Sequence, residues 1–595
     1  MDAIRGTCTV KLLSPPEALW PLVSNTERLN KALGLPVMTP ESIPGSHERR
    51  VSARLLGLTL RWIESPFQFA APRYHRVVRT FAGGPVARFE GGIRLEPDGT
   101  GSRAIVDGEF IPGSALGALI LRLAAPKAAA DMAALIQKYD AALARVGALP
   151  PLPRTRTPSD ESLLGARAER LRAMPAEPAA VARLIAHLRE APDDEVAGMR
   201  PFELADRWGL PRLVVLGACL HAVKAGLLEL NWVEVCPNCA GGGVAATLKD
   251  VAGKPRCPGC SLEYAAGLDE SVELRVSVHP NIRAVQLSIH CVGSPAHSPL
   301  AIAQLILAPG KNRELDVSLE NRSYTVRALG AMKAARLRPR PDGAAELALD
   351  LGADDRSYAF RPGRVRLKID APAEDLVRVE TERWREAGVT AAAVTSLQEF
   401  RDLFSTEVLA PGHEIGVKRL ALLFTDLKGS TAMYERLGDA PAYGVVRDHF
   451  GYLTKLIAAR RGAVVKTIGD AVMAVFSSGA DALEAALDMQ ERIAELDAAL
   501  APRPGVVLKI GVHEGAAIAI NADGVLDYFG TTANVAARVQ NESEGGDIVV
   551  TDVLRDDPAV AEVLARRAPP MAPFDSALKG LTGVHRLWRL NPARR

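Results

Sequence analysis

The chain is 595 residues long with 48% hydrophobic residues, too long for one core and apolar enough for several, so three or four domains are expected. A net charge of +2 gives no electrostatic case for DNA or an anionic membrane as a partner of the whole chain. The longest apolar run, 115–125, is broken by Arg122 and too short to cross a bilayer, and residues 1–5 lack the features of a secretory signal, so a cytoplasmic protein with no membrane contact is expected.

Strand-like runs at 50–63, 74–81, 86–95 and 102–110 precede an Ala- and Leu-rich stretch over 116–143 that predicts one long helix. With the early helical segment from Ala18 to Asn30, this arrangement over 1–147 resembles the START-like domains of the polyketide cyclase/dehydrase type. The resemblance implies a helix-grip fold around an apolar cavity, which a small hydrophobic ligand or a filled core would occupy. From Val146 to Asp160 the prolines Pro150, Pro151, Pro153 and Pro158 mark a linker, expected to set the first domain cleanly apart, and 148–194 is read as linker and helix.

Over 195–234, the segment Pro201 to Gly209 followed by the apolar run 210–230 shows helical periodicity with a glycine break, the pattern of a winged helix. Its second helix would offer a groove only Arg212, His221 and Lys224, too few for confident phosphate neutralisation, so nucleic acid is an unlikely partner. Four of the seven cysteines form two Cys-x-x-Cys knuckles, Cys236 with Cys239 and Cys257 with Cys260, within 235–264. Four thiolates on two tight turns suit one structural Zn²⁺, whereas a redox dithiol or disulfides fit a reducing cytoplasm less well. Cys8, Cys219 and Cys291 read as buried apolar residues.

Over 265–375, short alternating runs such as 271–278 and 284–290 suggest a β-sandwich-like module. A connector over 376–412 carries a helical run from Thr390 to Phe404 before Pro411 and Gly412 interrupt it.

The densest chemistry lies in 413–595. Asp426 follows the apolar run 420–424, and Asp470 precedes another at 472–476, so both carboxylates project from a rigid sheet edge. Between them Leu427-Lys428-Gly429-Ser430-Thr431 can expose successive backbone amides at a helix start, where a polyphosphate is well received. Lys466 lies four residues before Asp470, and the run from Asp527 to Arg538 adds an acceptor, the amide Asn534 and a guanidinium. These motifs, with Ile510 to Gly515, Gly546 to Thr551 and Leu578-Lys579-Gly580, resemble in order the class III adenylate and guanylate cyclases over roughly 415–592.

The resemblance implies a ferredoxin-like α/β catalytic domain within a multidomain α+β chain. It implies that Asp426 and Asp470, with the Leu427 carbonyl, hold two Mg²⁺ or Mn²⁺ ions per active site. Gly429, Ser430 and Thr431 would receive phosphate, Lys579 the triphosphate tail, Asn534 the ribose, and Arg538 the charge on the α-phosphoryl group. Lys466 donates only and Asp527 accepts only, a pair that complements adenine N1 and N6 and mismatches guanine. An adenylate cyclase acting on ATP is therefore expected, as a head-to-tail homodimer with shared sites and regulation by the preceding domains. The alternatives are a guanylate cyclase, or a nucleic-acid-binding regulator with an inactive cyclase domain. Ser430, Lys428 and Glu514 depart from residues common in the family, while Ile548 and Val549 after Asp547 exclude a diguanylate cyclase signature.

Overall fold

In the N-terminal part, alternating apolar positions pair into an antiparallel sheet of β1 (Ile4–Leu12), β2 (Met38–Ser42), β3 (Arg49–Leu55), β4 (Leu58–Glu64), β5 (Gln68–Ala70), β6 (Tyr74–Phe81), β7 (Val86–Asp98) and β8 (Gly101–Pro112). The computed structural model describes residues 2–593 apart from 44–45, 56, 148–154, 237–241, 258–262, 265, 299, 308–312, 330–332, 352–355, 371–373, 382–387 and 501–504. The run expected over 50–63 is two strands, β3 and β4, because Gly57 takes a left-handed conformation (φ 80°) and reverses the chain. Helices α1 (Pro16–Val23) and α2 (Thr26–Ala32) follow β1, and α3 (Ala115–Val146) closes the sheet. Ser114 caps α3 by accepting from the Gly117 amide, and Gly147 ends it at φ 70°. Close approach of this helix to β1 requires glycine at position 6, where a Cβ would lie 2.2 Å from the Ala125 carbonyl oxygen.

Sheet, α2 and α3 enclose a cavity of about 440 Å³ lined by Phe67, Val77, Phe81, Phe89, Phe110 and His75. His75 is 4% exposed, and neither ring nitrogen makes a hydrogen bond. Burial pushes its pKa down to about 4, the nearby Val23 carbonyl offsetting only part of that, so the imidazole is neutral.

A second unit joins α4 (Glu161–Arg172), α5 (Pro178–Glu190), α6 (Asp193–Val196), α7 (Pro201–Trp208) and α8 (Arg212–Ala225) to a small sheet. That sheet contains β9 (Leu228–Val235), β10 (Gly242–Ala245) and β11 (Val272–Val278). Helix α8 is buried from Val215 to Ala222, which removes it from any groove. The three side chains expected to face a groove are engaged: Arg212 with Asp206, His221 with Glu399 at 2.9 Å, and Lys224 over the Phe404 ring.

The β-rich module contains β12 (Ala301–Leu307), β13 (Arg313–Leu319), β14 (Tyr324–Ala328), β15 (Lys333–Ala344), β16 (Glu346–Asp350), β17 (Arg356–Phe360), β18 (Gly363–Asp370) and β19 (Asp375–Thr381). Two sheets, one ordered β12-β19-β14-β15-β17 and the other β13-β18-β16, bury Leu315, Val326, Leu337, Phe360 and Leu367 in one core. The first of these sheets continues the N-terminal one, since β5 pairs with β12 through Phe69↔Gln304 and Ala70↔Ala303. Thus the N-terminal domain is not cleanly separated by its linker. Moreover, the strand read at 271–278 belongs to β11 beside β9, and 284–290 forms no strand.

Instead, residues 283–297 run as a strap between the two units. At one end the wholly buried Arg283 pairs with Asp193 (Nε to Oδ1, 2.9 Å) and donates to the Ala191 carbonyl. Farther along, Glu27 on α2 accepts from the His290 and Cys291 amides, and Ser294 Oγ donates to the Ser24 carbonyl. Cys291 sits buried against Phe67 and Phe69, and burial pushes its thiol up to about 12, an inert apolar role.

After β20 (Val389–Thr390), which extends the small sheet beyond β11, the expected single helix is two short ones, α9 (Ala391–Thr395) and α10 (Gln398–Leu403). The C-terminal domain follows with β21 (Glu414–Leu427), α11 (Ser430–Leu437), α12 (Asp439–Ala459), β22 (Gly462–Ile468), β23 (Ala471–Phe476), α13 (Gly479–Glu491) and α14 (Ile493–Leu500). It ends with β24 (Leu508–Ala522), β25 (Val525–Phe529), α15 (Thr531–Asn541), β26 (Ile548–Thr551), α16 (Asp552–Arg555), α17 (Pro558–Arg567), β27 (Met571–Ser576) and β28 (His585–Leu590). Strand order is β22-β23-β21-β24-β26-β28-β27, with β25 folded back on the far end of β24. One sheet face packs on α12, α13 and α17. Its other face, including Leu422, Val465 and Tyr528, merges with the core of the helical unit. Among the described residues no helix is long and apolar enough to cross a membrane.

The strap's anchor carries a stability prediction. Burial alone would raise the Asp193 pKa, but hydrogen bonds from the Thr157 hydroxyl and amide, Arg283 and the Gln286 amide hold it below the usual carboxylate value. A depressed folded pKa means that the contribution is complete above the unfolded carboxyl pKa of about 4 and drains away as pH falls through the folded value. Asp193→Ala leaves a buried guanidinium uncompensated and should cost about 3–5 kcal/mol. Urea unfolding at neutral pH should show that loss, with the gap from wild type narrowing in acid.

Candidate functional site

Strand β21 ends at the site because its apolar run is buried on both faces up to Thr425, after which Asp426 emerges partly exposed. The β22–β23 hairpin places Asp470 beside it: Ile468 pairs with Ala471, leaving Gly469 (φ 65°) and Asp470 as the turn. Asp470 Oδ2 then accepts from the Leu427 amide at 3.3 Å, tying the turn to the end of β21. Burial first, and the Asp470 charge second, raise the Asp426 pKa, while Lys509 opposes the shift. A carboxylate whose ionisation is opposed by burial and by a neighbouring carboxylate belongs to a donor set that a divalent cation would relieve. With the Leu427 carbonyl they fit Mg²⁺ or Mn²⁺, hard ions that keep an otherwise watery shell.

Gly429, at φ 75°, turns the chain into α11, whose first residues are Ser430 and Thr431. The Lys428 amide donates to the Val507 carbonyl, so the expected row of free amides narrows to the residues after it. A cavity of about 210 Å³ opens here, lined by Leu427, Gly429, Ser430, Met433, Arg436 and Val507.

Lys466 Nζ lies 2.5 Å from Asp527 Oδ2, and the other Asp527 oxygen accepts from the Tyr528 amide. Asp527 is 6% exposed while Lys466 remains accessible, so the pair forms a fixed acceptor beside a movable donor. On α15, Asn534 and Arg538 share one face four residues apart. Arg538 Nε donates to the Lys579 carbonyl at 2.8 Å, bringing the two cationic residues onto one edge. Glycine at 511 lets α15 lie on β24, since a Cβ there would meet the Gln540 amide nitrogen at 2.2 Å.

The expected residues of this domain thus fall into separate groups: Asp426 and Asp470 at the end of β21 and the β22–β23 turn, Lys466 with Asp527 across β22 and β25, and Asn534, Arg538 and Lys579 around α15. Among the described residues no hydrogen bond or ion pair links Asp426 or Asp470 to Lys466, Asp527, Asn534 or Arg538. Two cations escaped sequence analysis. Lys509 stands opposite Asp426 in the β21–β24 ladder, and Arg436 lines the cavity at the phosphate loop. A charge inside the apolar run 506–512 was the available signal for Lys509, and a position two helical turns from Gly429 was that for Arg436. Two of the three departures have local partners: Glu514 pairs with Arg419, and Lys428 Nζ donates to the Glu544 carbonyl.

For the proposed zinc ligands, Cys239 and Cys260 lie outside the described residues. Cys236 and Cys257 are buried in one small cluster with Tyr264. Among the described residues no group of three or more His, Cys, Asp or Glu side chains could hold a metal ion.

Residues 415–556 match the family model of the adenylate and guanylate cyclase catalytic domain, and residues 165–298 match a family of unknown function (DUF5939). An uncharacterised protein of Mycobacterium tuberculosis is 33% identical over 137 residues, 22% of this chain and 32% of that protein. An adenylate cyclase of Streptomyces coelicolor is 28% identical over 227 residues, 37% of this chain and 52% of that protein. The chain thus spans only part of the length of the curated relatives it matches. Among solved structures, the adenylyl cyclase CyaB from P. aeruginosa is 20% identical, with a TM-score of 0.27 and coverage of 31% of this chain and 98% of that one. Motif order and the family match agree: toward its C-terminus this multidomain α/β chain carries a class III adenylate and guanylate cyclase catalytic domain.

Proposed function

We propose that the chain is an adenylate cyclase, forming 3′,5′-cyclic AMP and pyrophosphate from ATP. The observation that carries this reading is the Lys466–Asp527 pair, an obligate donor beside a buried obligate acceptor. Adenine N1 accepts from such a donor and N6 donates to such an acceptor, whereas guanine reverses both and leaves buried polar groups unpaired. Two Mg²⁺ or Mn²⁺ ions at Asp426, Asp470 and the Leu427 carbonyl would acidify the ribose 3′ hydroxyl and neutralise the triphosphate. The amides opening α11 receive phosphate oxygens, and Lys579 holds the outer phosphates. Asn534 orients the ribose so that its 3′ oxygen faces the α-phosphorus in line with the pyrophosphate leaving group. Arg538 balances the negative charge that grows on the α-phosphoryl oxygens.

The carboxylate group and the base-reading groups belong to different halves of a site that two chains would complete, supported by their lack of direct contact within one chain. An antiparallel pair of catalytic domains would then form two equivalent sites.

Regulation by the preceding domains is part of the proposal. The N-terminal cavity suits an apolar molecule with one hydroxyl, because neutral His75 offers a ring nitrogen acceptor, and a donor turned only loosely to the Val23 carbonyl, in an aromatic wall.

Three measurements test these points. Purified protein with Mn²⁺ should convert ATP to cyclic AMP faster than GTP to cyclic GMP, and Asp426→Ala or Asp470→Ala should lower the rate at least about 10³-fold; a cyclic GMP product in excess would reverse the base assignment. Asp426→Ala and Arg538→Ala proteins, each inactive alone, should recover up to about a quarter of wild-type rate when mixed. For the cavity, a medium-chain fatty alcohol should raise the thermal midpoint of wild type and do so less in His75→Phe; no rise in wild type would remove the ligand.

A further inference from the structure

Helix α10 touches both strands that carry the base-reading pair. Gln398 Oε1 accepts from the Val464 amide at 2.8 Å, and its Nε2 donates to Asp402, which fixes the orientation of the amide group. Strand β22 lies at the edge of the sheet, so this amide has no ladder partner on that side. Val464 pairs with Ala474 and Lys466 with Met473, which makes Val465 the extra residue of a β-bulge. Bulges re-aim the side chain that follows, and here that side chain is Lys466. Gln398 therefore holds the backbone at the kink that directs the donor.

One helical turn on, Arg401 Nη1 donates to the Leu526 carbonyl at 2.9 Å, the residue before Asp527. Its Nε donates to the Thr395 carbonyl, and its guanidinium lies over the Tyr528 ring, the residue after Asp527. Tyr528 Oη is in turn 3.2 Å from Thr395 Oγ1 on α9. The acceptor is thus clamped on both sides in sequence. The opposite face of α10 is held by the helical unit: Glu399 pairs with His221, and Phe400 packs edge-on against Trp232.

We infer that Gln398 and Arg401 are positioning residues for base recognition, with α10 setting the separation and aim of Lys466 and Asp527. The inference rests on the reading of that pair as base contacts and deepens it. Preorganisation of this kind acts on affinity and discrimination, because misaimed donors bind both purines poorly while the reacting phosphate keeps its own contacts. Tilting of α10 by the helical unit would alter substrate preference before it altered the chemical step.

The test uses full-length wild type, Gln398→Met, the double variant Gln398→Glu with Asp402→Asn, Arg401→Met and Lys466→Ala. Steady-state rates with ATP and GTP give kcat and KM, and titration of N-methylanthraniloyl derivatives of both nucleotides gives the same preference as a ratio of dissociation constants, independent of turnover. Gln398→Met and Arg401→Met should raise KM or Kd for ATP about 5- to 10-fold and move the ATP-to-GTP preference toward one, with kcat within about two-fold. Gln398→Glu combined with Asp402→Asn, which keeps the acceptor toward the Val464 amide and supplies the donor from position 402 instead, should stay within about two-fold of wild type. If Lys466→Ala shifts the preference and both methionine variants leave it unchanged, the inference is overturned. So it is if the double variant and Gln398→Met lose equally, or if kcat falls on both nucleotides at constant preference, since those results describe a structural role. An unchanged preference in Lys466→Ala would instead overturn the base-contact reading itself.

Discussion

Two half-buried carboxylates held side by side at a sheet end set the terms for the catalytic domain. Asp426 ends one strand and Asp470 sits in the turn between two others, and the hydrogen bond from the Leu427 amide to Asp470 keeps them together although burial and the Asp470 charge make Asp426 harder to ionise. Such an arrangement is stable only when something positive shares the space, and Lys509 supplies part of that charge from the neighbouring strand. In the proposed function the rest would come from bound cations. The loop 427–429 and α11 follow directly after β21, and in the proposed function a triphosphate would bridge the carboxylates and that helix start.

Around that centre the chain is less a string of beads than a set of interlocked surfaces. The N-terminal sheet runs into the β-rich module through β5 and β12, the strap over 283–297 joins α2 to Asp193, and α10 lies between the helical unit and the catalytic sheet. Each junction has polar anchors as well as packing, which fixes how the elements on its two sides meet. The N-terminal cavity, with His75 in its wall, and the Lys466–Asp527 pair stand at the two ends of that chain of contacts.

Much of the catalytic domain could be read without coordinates because the chemistry constrains residue type over short distances. Asp426, the glycine after Lys428, Lys466 with Asp470, and Asn534 with Arg538 each sit in a segment whose local pattern also predicts the strand, turn or helix observed. The long helix α3 was legible for the same reason, its Ala-rich periodicity, Ser114 cap and Gly147 stop being local signals. Less was legible in the centre. The apolar run of α8 is compatible with either a recognition helix or a core helix, and only the packing of α10, β9 and α5 against it decides for the core. The pairs Cys236–Cys239 and Cys257–Cys260 are legible as spacing alone.

Sequence by itself determined which residues carry charge, which can turn with a positive φ, and the order in which nucleotide-handling motifs occur, since these are properties of side chains and their immediate neighbours. Tertiary structure alone decided that β5 pairs with β12, that 284–290 is a strap and not a strand, that Lys509 faces Asp426, and that Gln398 and Arg401 grip the strands of Lys466 and Asp527. Those contacts join segments tens to hundreds of residues apart. Their free energy comes from burial and hydrogen bonds that exist only after the chain has closed those loops, and no local pattern records which closure wins.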